Sequence, residues 1–161
     1  MRSFDNLAHL SRFTRRTALP VVAAAALLAG LAGCGSGISL DEPIEGPTWR
    51  LEQLGGEPVP PGNDPQRDAQ LQFDGNSGRL NGAGGCNRVS GMFQRTGYSL
   101  RFSQLASTRM ACIDPARSAS ETQFFAALQA TASYRLEGAS RLALLDASGR
   151  TLATLGRAAP R

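Results

Sequence analysis

The chain has 161 residues and a formal charge of +4, from 17 basic and 13 acidic residues, and every basic residue is Arg. Four of the arginines precede Cys34, so residues 34–161 hold 13 Arg against 12 acids; the excess charge belongs to the N-terminus, and the clustered cations that nucleic-acid binding needs are missing. The single histidine, His9, also precedes Cys34, which excludes Ser–His–Asp and Cys–His catalysis, Schiff-base Lys chemistry and His-ligated metals from the rest; no cofactor and no metal are expected.

Residues 1–33 read as an export signal. Arg12, Arg15 and Arg16 precede Ala18–Ala32, an apolar run of 15 residues interrupted only by Pro20. It is shorter than the roughly 20 residues that span a bilayer and suits the h-region of a secretory signal. Leu31-Ala32-Gly33-Cys34 closes it and resembles the bacterial lipobox. That resemblance implies lipidation of the Cys34 thiol and cleavage before it, with the acyl chains as the membrane partner. Gly35, in place of Asp, implies by the same resemblance an outer-membrane destination in a Gram-negative cell. Thr14-Arg15-Arg16 leaves both general and twin-arginine export open. Residues 34–46, small, polar and Pro-containing, read as a lipidated tether, and 47–157 as one domain.

In that domain, Thr48–Leu54 alternates apolar and polar residues and ends at the hairpin signal Gly55-Gly56, with Glu57–Val59 beyond it. A Pro/Asn/Asp loop leads to a strand at Ala69–Phe73, which turns at Asp74-Gly75-Asn76 into Arg79–Ala83. Val89–Arg95 and Tyr98–Phe102 follow. Pro115 suits a first helical turn, Ser118-x-x-Glu121 and Ser120-x-x-Gln123 have capping-box spacing, and Phe124, Leu128 and Thr131 share a face, which together predict a helix over about 117–132. Tyr134–Glu137, Arg141–Leu145 and Arg150–Leu155 are the last strands. The fold class is α+β: a curved antiparallel sheet, a meander or partly open barrel, with one amphipathic helix packed on it.

With Cys34 assigned to lipid, Cys86 and Cys112 form an even pair in a compartment that permits oxidation, and a disulfide is expected. The alternative, a redox or metal-binding thiol pair, has no CxxC and no His to support it.

Gly85-Cys86-Asn87-Arg88-Val89-Ser90-Gly91-Met92-Phe93 and Ala106-Ser107-Thr108-Arg109-Met110-Ala111-Cys112 resemble, in order and spacing, the two blocks of the META domain, the HslJ-type heat-shock lipoprotein family. Thr48-Trp49-Arg50-Leu51 and Glu121-x-x-Phe124-x-x-x-Leu128 fit as well; Val89 departs, standing where the family often has an aromatic. The resemblance implies a compact β-rich domain with a packed helix, links to heat shock, envelope stress and novobiocin resistance, and no established catalytic activity.

Within the blocks, Asn87 is expected to satisfy its own turn, and Gly82, Gly84, Gly85 and Gly91 to serve positive φ, a bulge or a close approach. Arg88 and Arg109 are either a small cationic site or partners of nearby acids and carbonyls. Ser107 and Thr108 complete the motif set. Asp114 is read as a helix start rather than a metal ligand. The expected function is a non-enzymatic, lipid-anchored envelope protein, monomeric, acting on an unidentified envelope protein. A carrier of an apolar ligand or lipid is the alternative, and a hydrolase using Asp74 or Asp146 has no motif behind it.

Overall fold

The computed structural model describes residues 43–62 and 64–159. The signal, Cys34 and the tether through residue 42 lie outside the described residues. Nine strands and one helix follow in the order β1 Thr48–Leu54, β2 Glu57–Pro58, β3 Gln70–Asp74, β4 Arg79–Ala83, β5 Arg88–Thr96, β6 Ser99–Ser107, α1 Pro115–Ala130, β7 Ser133–Glu137, β8 Arg141–Leu145 and β9 Thr151–Arg157.

Every pairing is antiparallel, and the spatial order is β2-β1-β3-β4-β5-β6-β7-β8-β9, with β9 returning to pair with β1. The ladder is thin at one place. β6 and β7 share a single pair, Ser99 with Ser133, where the chain between them forms α1. The sheet therefore curls round on itself without becoming a closed barrel. This is the α+β, helix-covered curved sheet that the strand spacing predicts.

Alternation decides which face is inside. Trp49, Leu51, Leu71, Phe73, Leu80, Val89, Phe93 and Leu100 are buried, while Arg50, Gln72, Asn81 and Gln94 between them point outward. β1 slips register at Glu52 against β9, and this bulge turns Leu54 inward as well. The interior is packed: Phe73 meets Phe93 edge-on at 5.2 Å and stacks on Phe102 at 6.0 Å. Helix α1 adds Phe124, Ala127 and Leu128 to the same core, and Thr131 closes it by donating to the Ala127 carbonyl at 2.8 Å.

Residues 43–46, expected as the end of the tether, belong to the packed domain. Ile44 is fully buried, the Trp49 indole N–H donates to its carbonyl at 2.7 Å, and Arg95 donates to Glu45 at 2.9 Å. An isolated Ile between Pro and Glu has no periodic partners in sequence; its partner, Trp49, is supplied only by the fold. The helix starts at Asp114 and Pro115, as those two residues indicate, two residues before the predicted 117, and the capping-box serines are not its cap. Asp114 is the N-cap, its Oδ1 accepting from the Ala116 N–H at 2.9 Å, and Ser118 and Ser120 lie inside the helix. Glu121, the acid of the first predicted box, is engaged elsewhere.

Candidate functional site

The first motif block leaves β4 through Gly84 and Gly85 and enters β5 at Arg88. Gly85 sits at φ +120, where a side chain is strained. Gly84 has no room for one, since a Cβ would lie 2.5 Å from Glu121 Oε1. This tight passage presents Asn87 to three segments at once. Its backbone N–H donates to Glu121 Oε1 at 2.8 Å and its side-chain amide to Glu121 Oε2 at 2.9 Å. Its Oδ1 accepts from the Thr108 hydroxyl at 2.9 Å and from the Met110 N–H at 2.7 Å. Its carbonyl accepts from the Gly84 N–H at 2.8 Å. Asn87 was expected to satisfy its own turn. Instead it ties both motif blocks to α1, because a side chain with two acceptor sites and two donors can reach neighbours that its own turn does not supply.

Thr108 continues the tie, its hydroxyl accepting from the Arg88 N–H at 3.1 Å while its own N–H donates to the Arg88 carbonyl. Ser107 pairs with Val89 in the β5–β6 ladder. Beside this network Cys86 and Cys112 are joined in a disulfide, with Cα atoms 5.7 Å apart. Arg117, one helical turn before Glu121, donates to the Gly85 carbonyl at 3.4 Å. The second block is thus held from behind by one covalent and several polar links.

Gly91 serves the bulge. Opposite it β6 carries an extra residue, so Gln104 and Leu105 face one position, and Gln104 takes φ +52. A Cβ on Gly91 would lie 2.9 Å from the Leu105 side chain.

Arg88 is bonded through its backbone to Thr108, the residue before Arg109. Arg88 lines an open groove on the outer face of β1, β3 and β4 with Arg50, Gln72 and Asn81, and Arg109, on the exposed loop after β6, is not part of it. Among the described residues neither guanidinium has a hydrogen bond or ion pair to an acid or a carbonyl, so the reading that pairs them with neighbouring groups does not hold.

Asp74 and Asp146 are occupied in their own turns. Asp74 accepts from the Ser77 hydroxyl at 2.5 Å and the Asn76 N–H at 3.0 Å, which hold its carboxyl below the ordinary range. Asp146 accepts from the Ser148 hydroxyl at 2.6 Å and from Arg150, and is lowered to about 2. Arg95 is raised by its bond to the Tyr134 hydroxyl and by Glu45. Among the described residues no group of three His, Cys, Asp or Glu side chains is placed to hold a metal ion.

A split antiparallel sheet whose two motif loops are cross-linked to each other and tied to its single helix defines a small α+β domain organised around a rigid clamp. The chain belongs to the META domain family, which matches residues 42–159. An NMR structure of a protein from Burkholderia xenovorans is similar, 25% identical with a TM-score of 0.56, over 73% of this chain and 85% of its own. A second NMR structure is also 25% identical, with a TM-score of 0.56, over 71% of this chain and 91% of its own. A crystal structure of a DUF4847 family protein from Bacteroides vulgatus ATCC 8482 shares the fold at 14% identity and a TM-score of 0.54, covering 73% of this chain and 96% of its own. No curated protein matches the chain.

Proposed function

We propose that the chain is a non-enzymatic, lipid-anchored protein of the cell envelope that serves stress or antibiotic tolerance by binding an envelope protein. The observation that carries the binding mode is the loop after β6. Ile113 is 99% exposed and Met110 59% exposed, on either side of Cys112, while the disulfide and Asn87 hold the loop in place. Exposed apolar side chains on a preorganised loop lose little entropy when a partner covers them. The packed Phe73, Phe93 and Phe102 favour this over the carrier reading, in which those rings would line a cavity.

The envelope location is supported by the lipobox-like Leu31–Cys34 and by a cysteine pair in the remainder of the chain that suits an oxidising compartment. Radiolabelled palmitate should enter the wild-type chain and not Cys34→Ala; an unlabelled, cytosolic wild-type chain overturns the anchor. A photo-crosslinker at position 113 should capture a discrete envelope protein that one at position 57, on the β1–β2 hairpin, does not. Equal capture from both positions overturns the binding mode.

A further inference from the structure

We propose that the open groove on the outer face of β1, β3 and β4 binds an acidic glycan, a short chain of carboxylate-bearing sugars. The groove has a volume of about 970 Å³, at the upper end of small-molecule sites. The segment before β1, the loop before β3 and the chain after β9 flank it, and none of residues 109–113 lines it.

Charge selects the occupant. Among the described residues the lining holds three arginines, Arg50, Arg88 and Arg157, and no Asp or Glu. Residues 34–161 as a whole hold 13 Arg against 12 acids, so the excess is local to this face. Arg88 is exposed, and its guanidinium has no acid or carbonyl partner among the described residues. The Arg50 side chain is 41% exposed. The acid beside it, Asp68, is buried and 3.8 Å away, beyond hydrogen-bond reach. Arg157 donates to the Ala139 carbonyl and adds its charge from the edge.

The register spaces these charges. Arg50, Gln70, Ala83 and Arg88 are successive cross-strand partners on β1, β3, β4 and β5, so they stand in one row on one face. Three inter-strand spacings of about 4.8 Å put the Cα atoms of Arg50 and Arg88 roughly 14 Å apart, with Gln70 and the short Ala83 between them. Cations set apart in this way suit single negative charges repeated along a chain, whereas one phosphate is held best by cations that converge on it. Amides fill the space between. Gln70 and Gln72 donate to the Gln66 and Gly46 carbonyls at 3.2 and 3.1 Å, which fixes both side chains and leaves their amide oxygens without a donor among the described residues. Sugar hydroxyls both donate and accept, and a primary amide answers both. Amides already fixed lose little entropy when a ligand arrives.

The full chain in detergent micelles is titrated calorimetrically with trigalacturonate, with maltotriose, a neutral trisaccharide, and with inorganic phosphate. Trigalacturonate is expected to bind with a Kd of about 1 mM or tighter at low salt, and each of the other probes at least about tenfold more weakly. Raising NaCl from about 50 mM to about 500 mM should weaken the trisaccharide several-fold. Arg88→Gln should weaken it at least about fivefold, whereas Arg101→Gln, exposed on β6 outside the groove, should leave it unchanged. Silence toward trigalacturonate up to about 20 mM, equal affinity for maltotriose or phosphate, undiminished binding to Arg88→Gln, or an equal loss in Arg101→Gln overturns the proposal. The three-probe comparison on the unmodified chain decides even where a variant does not fold. Neither the lipid nor the Met110–Ile113 loop enters this test, so its failure leaves the envelope reading standing, and the reverse.

Discussion

Asn87 grips Glu121 with two hydrogen bonds, at 2.8 and 2.9 Å, across a sequence separation of 34 residues. This pair makes the first motif block and the helix one unit. Asn87→Ala removes three side-chain bonds and leaves the part-buried Glu121 carboxylate short of a donor, so it should destabilise by about 2–4 kcal/mol. A double-mutant cycle with Glu121→Gln should give a coupling of about 1–3 kcal/mol in denaturant unfolding. Additive losses would show that the two residues act separately.

The disulfide spans 26 positions. Closing a loop of that length removes unfolded-state entropy worth about 3.5 kcal/mol in the chain-entropy treatment. Cys86→Ala with Cys112→Ala should lower the denaturation midpoint accordingly, and reductant should shift the wild type and leave the variant unmoved. A reductant-insensitive wild type contradicts the bridge.

Acid stability should depend on the β8–β9 turn. Asp146 is lowered from its ordinary 3.8 to about 2, first by the Ser148 hydroxyl. A carboxylate lowered by folding adds stability above its unfolded value, and that contribution is lost as pH falls toward 2. Asp146→Asn should therefore be less stable than wild type near neutrality, with the gap closing between about pH 4 and 2. Asp74, lowered chiefly by Ser77, should act in the same direction. A gap that is constant across this window counts against the assignment.

Two glycines separate crowding from backbone strain. A Cβ on Gly82 would collide with the Gln70 carbonyl oxygen across the β3–β4 ladder, whereas one on Gly97 meets open space at φ +56. Gly82→Ala should cost more than about 3 kcal/mol, and Gly97→Ala about 1 kcal/mol. Thermal melts of both variants test the order; a reversal would mean that β3 and β4 part more easily than their pairing implies.

The strands were legible where alternation and turn residues agreed. Thr48–Leu54, Arg79–Ala83 and Arg141–Leu145 begin and end where their patterns do. β6 runs on from Phe102 to Ser107 because the bulge at Gln104 breaks the alternation that marks a strand. The helix begins where Asp114 and Pro115 marked it, while the two capping-box spacings fall inside it, Glu121 being bound by Asn87. Nothing local in Asp68 marked it for burial; its environment comes from Gly62, Arg50 and the start of α1.

Composition, hydrophobic alternation and the two motif blocks by themselves determined the α+β class, the family and the cysteine pair, because these depend on residue type and on neighbours close in the chain. Only the tertiary structure decided that Asn87 serves the helix, that neither Arg88 nor Arg109 pairs with a neighbouring acid among the described residues, and that Asp68 is buried. Each of those rests on contacts between residues tens of positions apart, and a side chain's hydrogen-bond partners are chosen by which segments the curled sheet brings within 3 Å of it.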